Sequence, residues 1–527
     1  MRFVLSDRRA LWLLTAAYVA VNLILLERAA VVNDEGLLVH YTATWVRLDL
    51  PAVFFLQKAK PVLSVLYALP AAAGVWWTML AHVCVSALAL PFLGEFAHSY
   101  GYRLPNVPAL VVAASPVFLL GGAAGIANND AIVGTALVLF LLGGGHAFAA
   151  GLVLGCLPWV RSEMLPLLIV LWLHAVLIEP NRRLAIGAML FPIAYEILGA
   201  VYHRDLLWMV HYPPSSPYNP NNPMWSTIPV GPQYFLGYVM TITPVAGLVA
   251  CVPLGRLRPL ERTLLVYLVL MAVLLDVLPI FKIGNFGGSP RYLSQLLPVA
   301  GLFAARALEV VWDGKRLPIA AALAALVVTA WSATRITGQV ELLPLLLAFA
   351  IVVALAVLRL GRAATMAAVC FILAGPLLVP GTQLLRTYMA PYLDPMAAWL
   401  RAHPDAAPGP IYTNSQTLEA FTQLRADLPP VDVRFLIGFD HLEGTLELSD
   451  PHNGQREAIR RLTAQSFYGR GLIARELRPD DVPPGTYFLL RLDRRLDITL
   501  PPETWRDRLE ILEETGGARI ARLRPAT

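Results

Sequence analysis

Cysteine is scarce in this chain of 527 residues: Cys84, Cys156, Cys251 and Cys370 are the full set. Each lies in or beside an apolar run and no two have paired spacing. That argues against a disulfide framework or a zinc site and leaves them as small packing residues. Charge is scarce too, with 15% of residues charged against 57% hydrophobic, a balance too apolar for a single water-soluble domain. The net charge of +5 does not point to nucleic acid, because Lys and Arg come as short clusters between apolar runs and form no continuous stripe. Repeats and low-complexity tracts are lacking as well.

What abounds is long apolar sequence. A helix crossing a bilayer needs about 20 mostly apolar residues, because every backbone N–H and C=O has to be satisfied within it. Such runs start near residues 10, 68, 106, 129, 147, 164, 184, 232, 261, 291, 317, 341 and 365. They predict a polytopic α-helical membrane protein of about thirteen transmembrane helices. Basic clusters fall in alternate gaps: Arg8-Arg9, Arg103, Arg182-Arg183, Arg256/Arg258/Arg262, Lys315-Arg316 and Arg359/Arg362. The positive-inside rule makes those gaps cytoplasmic. The other gaps, 27–67, 122–130, 160–163, 203–231, 281–291 and 334–340, then face outward, and an odd number of spans puts the C-terminus outside a cell (inner or plasma) membrane. The first run reads as an uncleaved helix, since no small-residue cleavage site follows it and Glu27-Arg28 intervene.

After residue 385 Pro, Asp, Arg and Glu become common and apolar runs shorten to strand length. A membrane domain over 1–385 is thus expected to carry a soluble extracytoplasmic α/β domain over 386–527. Its strands are expected at 409–414, 431–438 and 486–492 and a helix at 455–467.

The outward gaps hold acids, aromatics, prolines and asparagines beyond what a turn requires. Asp34-Glu35 follows the first span. Two carboxylates at a membrane boundary suit a general base and an orienting group, and Asn33 or Asp34 is equally suited to capping the helix that follows. Lys58 and Lys60 offer ammonium donors to a phosphate or snorkel to lipid headgroups. Asn128-Asn129-Asp130 opens a span, where Asp130 is either a cap or a second acid joining Asp34 around a sugar or a metal. Arg161 and Glu163, charges between two apolar runs, form a structural pair or face a wet cavity. Residues 203–233, with His211-Tyr212 and the stretch Tyr218 to Trp225, combine prolines with stacking faces and amides that suit sugars. Arg291-Tyr292 precedes a late span as a lipid-phosphate ligand or an interfacial anchor.

Several of these motifs, in this order and on one side, resemble the GT-C superfamily of membrane glycosyltransferases, especially the protein O-mannosyltransferase and lipid A aminoarabinose transferase branch. Asp34-Glu35 resembles its acidic loop motif, and Lys58-Ala59-Lys60-Pro61 its basic stretch before a proline. The run GLVLGCLPWVRSEMLP over 151–166 is similar to a glycine-leucine run ending in Arg-Pro-Glu, with Ser162 in place of the proline. Arg291-Tyr292, followed by Leu296-Leu297-Pro298, resembles its Arg-Tyr motif. The likeness spreads over about residues 1–310.

The resemblance implies an inverting transferase that takes a sugar from a polyprenyl-phosphate donor to an acceptor hydroxyl on a glycan, lipid or protein. Asp34 would be its base beside Glu35. Lys58, Lys60, Arg291 and Tyr292 would hold the donor phosphate, while Asn129, Asp130, Arg161, Glu163, His211 and Tyr212 would line the substrate. A divalent cation, Mg or Mn, would sit on Asp34 and Asp130 if the reaction uses one. Membrane lipids are expected partners and nucleic acid is not. The competing class is a transporter or a lipid or polysaccharide flippase, for which matched halves with helices broken near the midplane are the expected sign.

Overall fold

The computed structural model describes residues 7–27, positions within 39–46, 50–55, 60–211, 255, 257–280, 294–312 and, in the C-terminal part, most of 393–437, 472–473, 478–492 and most of 505–525. Helix α1 (Arg8–Glu27) is followed by three short helices, α2 (Leu50–Phe55), α3 (Pro61–Leu66) and α4 (Ala68–Ala73). The bundle continues with α5 (Val75–Ser99), α6 (Val107–Ala114), α7 (Pro116–Ala124), α8 (Ala127–Gly143), α9 (Ala147–Trp159), α10 (Ser162–Ile178), α11 (Arg182–His203), α12 (Trp208–His211), α13 (Pro259–Ile280) and α14 (Leu297–Trp312). Among the described residues, α1, α5 and α11 are each long and apolar enough to cross a membrane, and α6 with α7, bent by 65°, is a broken span or a re-entrant loop.

Helices stand where spans were expected from about residues 10, 106, 129, 147, 164, 184, 261 and 291. The run expected from residue 68 has its long apolar helix in α5 instead, seven residues later. Gly74, with φ of 122° and ψ of 174°, parts it from α4, a backbone conformation that L side chains rarely adopt. The runs expected near 232, 317, 341 and 365 and the helix at 455–467 lie outside the described residues.

Two glycines of the 151–166 motif have a packing role. A Cβ on Gly151 would stand 2.5 Å from the carbonyl oxygen of Leu184, and one on Gly155 would stand 2.6 Å from that of Ala188. Backbone-to-backbone approach of α9 and α11 is therefore built on small residues, as suits a solvent in which burying apolar side chains gives little drive. On α11, Ile186, Ile193, Ile197 and Val201 remain exposed, and on α1 Trp12, Leu13 and Ile24 do, as apolar stripes.

One end of the bundle is bound by polar contacts. Arg8 Nη2 lies 2.9 Å from Glu95 Oε2, and Asn106 Nδ2 donates to the carbonyl of Asp7 at 2.8 Å. Glu261, 1% exposed, accepts from the Tyr102 hydroxyl and from Arg306 Nε, both at 2.7 Å, and Arg306 also reaches Glu309 at 2.8 Å. Because the helices alternate in direction, Gly74, residues 125–130, residues 159–163 and α12 gather at the other end.

Helix α15 (Leu393–Ala402) leads into a six-stranded sheet: β1 (Pro410–Thr413), β2 (Asp432–Ile437), β3 (Leu472–Ile473), β4 (Tyr487–Arg491), β5 (Leu509–Thr515) and β6 (Ala518–Leu523). The order is β3-β2-β1-β4-β6-β5, with the first four strands parallel and the β5–β6 hairpin antiparallel. Three strands match the expected ones. The last hairpin escaped the alternation rule because β5 exposes successive residues at the sheet edge. Leu26 of α1 and Val75 and Met79 of α5 share one apolar cluster with Trp399, Ile411, Leu489 and Ile520, so the sheet domain seats on the bundle end away from the Glu261 contacts.

Candidate functional site

The loop between α1 and α3 is tied down at several points. His40 lies 2.7 Å from the Thr78 hydroxyl, which itself donates to the carbonyl of Gly74, so His40 Nδ1–H is the donor between them. The Ser64 hydroxyl donates to Thr42 Oγ1 at 3.0 Å. The chain that leaves Asp34-Glu35 is thus docked on α3 and α5. Burial pushes His40 down to a pKa of about 4.

Asp130 stands in the first turn of α8, yet it caps nothing: the N-cap is Ile126, with no side-chain bond. Its carboxyl, 6% exposed, meets residues from other helices. The Tyr67 hydroxyl donates to Oδ1 at 2.5 Å, His82 Nε2 faces Oδ2 at 3.2 Å, and His82 Nδ1 lies 2.8 Å from the carbonyl of Gly122. Asn129 turns the other way. Its amide donates to the carbonyl of Phe118 at 2.8 Å and lies 3.4 Å from both the Tyr18 hydroxyl and Ser86. Gly121 and Gly122 make room for this polar layer, since a Cβ on either would collide with Asn129, Tyr18 or Asn22.

Arg161 and Glu163 pair with each other, Nη2 to Oε1 at 3.0 Å, both side chains buried. Lys60 occupies the N-cap of α3, partly buried, and its carbonyl accepts from the Ser64 amide at 2.9 Å. Upstream, Phe55 of α2 is held in an aromatic cage of Tyr195, Tyr202, His203 and Trp208, and Tyr195 donates to the carbonyl of Phe54 at 2.5 Å. His211 ends α12, but its side chain lies outside the described residues, as do Tyr212, Asp34, Glu35, Lys58, Arg291 and Tyr292.

The structure therefore groups Asp130 with Tyr67 and His82, two residues that the sequence reading passed over. A histidine inside an apolar run was the available signal, since intramembrane titratable groups seldom stand alone. Among the described residues no group of three His, Cys, Asp or Glu side chains is placed to hold a metal ion. Asp34, the other residue expected to hold a cation, lies outside the described residues, and no step is routed through one.

No family model and no curated protein matches the sequence. Solved structures do match. ArnT from Cupriavidus metallidurans, in a crystal structure bound to undecaprenyl phosphate, aligns over 96% of this chain and 97% of that one, with a TM-score of 0.53 at 14% identity. The chain shares the fold of that protein. The apo form of the same protein aligns over the same shares with a TM-score of 0.51. The aligned share is large enough to take in the sheet as well as the bundle.

Proposed function

We propose that this chain is a glycosyltransferase moving a sugar from a polyprenyl-phosphate donor to an acceptor hydroxyl on the extracytoplasmic side of a cell membrane, with inversion. The observation that carries the reading is the alignment over nearly all of both chains with a protein whose crystal structure contains undecaprenyl phosphate. The residues supply the chemistry. Asp34 takes the acceptor proton as the hydroxyl oxygen bonds to the anomeric carbon and the bond to the lipid phosphate breaks on the opposite face. One base suffices, because inversion needs no covalent intermediate. The departing phosphate gains charge, which Lys58, Lys60 and Arg291 are chosen to meet, with Tyr292 beside them.

The side is inferred from charge and position. Arg8, Arg103, Arg182 and Arg258 belong to the end that carries the Glu261 contacts, and the basic end is cytoplasmic by rule. The docked segment 39–44, Lys60, Asp130 and the sheet domain belong to the other. In this reading the domain after residue 385 and residues 203–233, with His211 and Tyr212, flank the acceptor path. Arg161 and Glu163 hold the loop between α9 and α10 below it. A pentose, hexose or amino sugar fits the argument equally well.

The test uses purified protein in lipid nanodiscs with a panel of polyprenyl-phosphate sugars, reading release of free polyprenyl phosphate. Wild type is expected to release it with at least one donor, and Asp34→Asn to lose turnover by about a thousandfold or more while still binding the donor, as removal of an essential proton acceptor does. Normal turnover by Asp34→Asn removes Asp34 from the mechanism. Absence of release with every donor favours the transporter or flippase class.

A further inference from the structure

We propose that Asp130, held by Tyr67 and His82, is a positioning residue of the donor site: it fixes α3, and through it Lys60 and the segment following Asp34, without touching the substrate itself. This rests on the transferase reading.

The carbonyl of Gly122 accepts only, so the hydrogen on His82 lies on Nδ1. His82 Nε2 and Asp130 Oδ2, 3.2 Å apart, then need one proton between them, carried by either partner. The other oxygen takes the Tyr67 hydroxyl. All three side chains are buried, Tyr67 and His82 at 1% exposure. A carboxyl that is only 6% exposed and turned to these two partners offers little of its edge to a sugar.

What the carboxyl does hold is α3. Tyr67 is the C-cap of that helix and Lys60 its N-cap. Backbone bonds run without a break between them, Ser64 N to Lys60 O and Tyr67 N to Leu63 O, each 2.9 Å. Midway, Ser64 reaches Thr42 on the segment that follows the acidic pair. A short helix bonded at its middle and pinned at its end moves as one piece. Fixing Tyr67 therefore fixes Lys60 and, through Ser64, the segment at Thr42.

The chemistry supplies a discriminating variant. In Asp130→Asn the amide oxygen still accepts from Tyr67, and the amide N–H donates to the lone pair on Nε2 of a neutral His82. Both bonds survive and only the shared proton is gone. Tyr67→Phe and Asp130→Ala break the link. Donor KM for Asp130→Asn is expected within about threefold of wild type. Tyr67→Phe and Asp130→Ala should raise it by about tenfold or more with smaller effects on kcat, the cost of one or two lost buried hydrogen bonds.

Hydrogen–deuterium exchange of amides 39–66 gives a readout independent of turnover. It should rise in Tyr67→Phe and Asp130→Ala and stay at the wild-type level in Asp130→Asn. Asp130→Asn as impaired as Asp130→Ala, with unchanged exchange, would mean that the carboxylate itself acts on substrate or cation and overturns the proposal. So would unchanged exchange in Tyr67→Phe, the milder change that stands in if Asp130→Ala fails to fold. A wild type that releases nothing overturns the transferase reading instead, and the exchange pattern alone then decides whether Asp130 holds the loop.

Discussion

His40 is the residue at which burial and chemistry conflict most openly. The folded chain keeps it neutral down to a pKa of about 4, whereas an unfolded chain binds a proton near the ordinary value of 6.5. Stability is therefore complete above about pH 6.5, falls as the pH drops towards about 4, and loses nothing further from this group below that. The loss is on the order of 3 kcal/mol as an upper bound. Amide exchange across 39–46 should accelerate through that window in wild type and lose this pH dependence in His40→Gln. Asp130 illustrates what the sequence hid at this scale. A first-turn acid has the local signature of a cap, and its true partners stand 63 and 48 positions away. The Arg161–Glu163 pair, two positions apart, was legible because its partner is local.

At the scale of the element, hydropathy located seven of the described helices to within a few residues and α14 to within six, because the demand for internal backbone bonding in lipid leaves little choice of structure. It misjudged where α5 begins, since Gly74 interrupts the helix without interrupting the apolar composition. Packing was less legible. The 151–166 run was noted as a family-like motif, yet its glycines derive their physical necessity from α11, which follows in sequence and shares no local signal with them. Gly151→Leu sets a side chain against the backbone of Leu184 and Ala188. It should cost about 3 kcal/mol or more, the upper range for overpacking. The same change at Gly145, where nothing lies within 4 Å, meets no neighbour and suffers only its φ of 77°. Thermal melts in detergent should therefore rank Gly151→Leu well below Gly145→Leu, and equal melting temperatures would refute the packing role.

At the scale of the whole molecule, the boundary between solvents does not separate two cores. Leu26, Val75 and Met79 belong to one apolar cluster with the sheet domain. That was not readable from composition, which changes after residue 385 but says nothing of where the later part docks. Met79→Glu would place an unpaired carboxylate in that cluster, at a cost of several kcal/mol. Limited proteolysis should then release a fragment beginning between residues 385 and 410, while amides of α8 and α9 keep wild-type exchange. Resistance equal to wild type would mean that the domain is held elsewhere.

The contacts around Glu261 bear on what kind of machine this is. They join the start of α13 to the end of α14 and to Tyr102 ahead of α6 through charge-assisted bonds inside the protein. A carrier that opened alternately to each side would have to part that junction once per cycle, and stranding a buried carboxylate in that way costs about 3–5 kcal/mol. A molecule that receives both reactants at its other face has no such toll to meet. Under the proposed reaction the back of the bundle stays shut for the life of the protein, like the fixed wall of a vice.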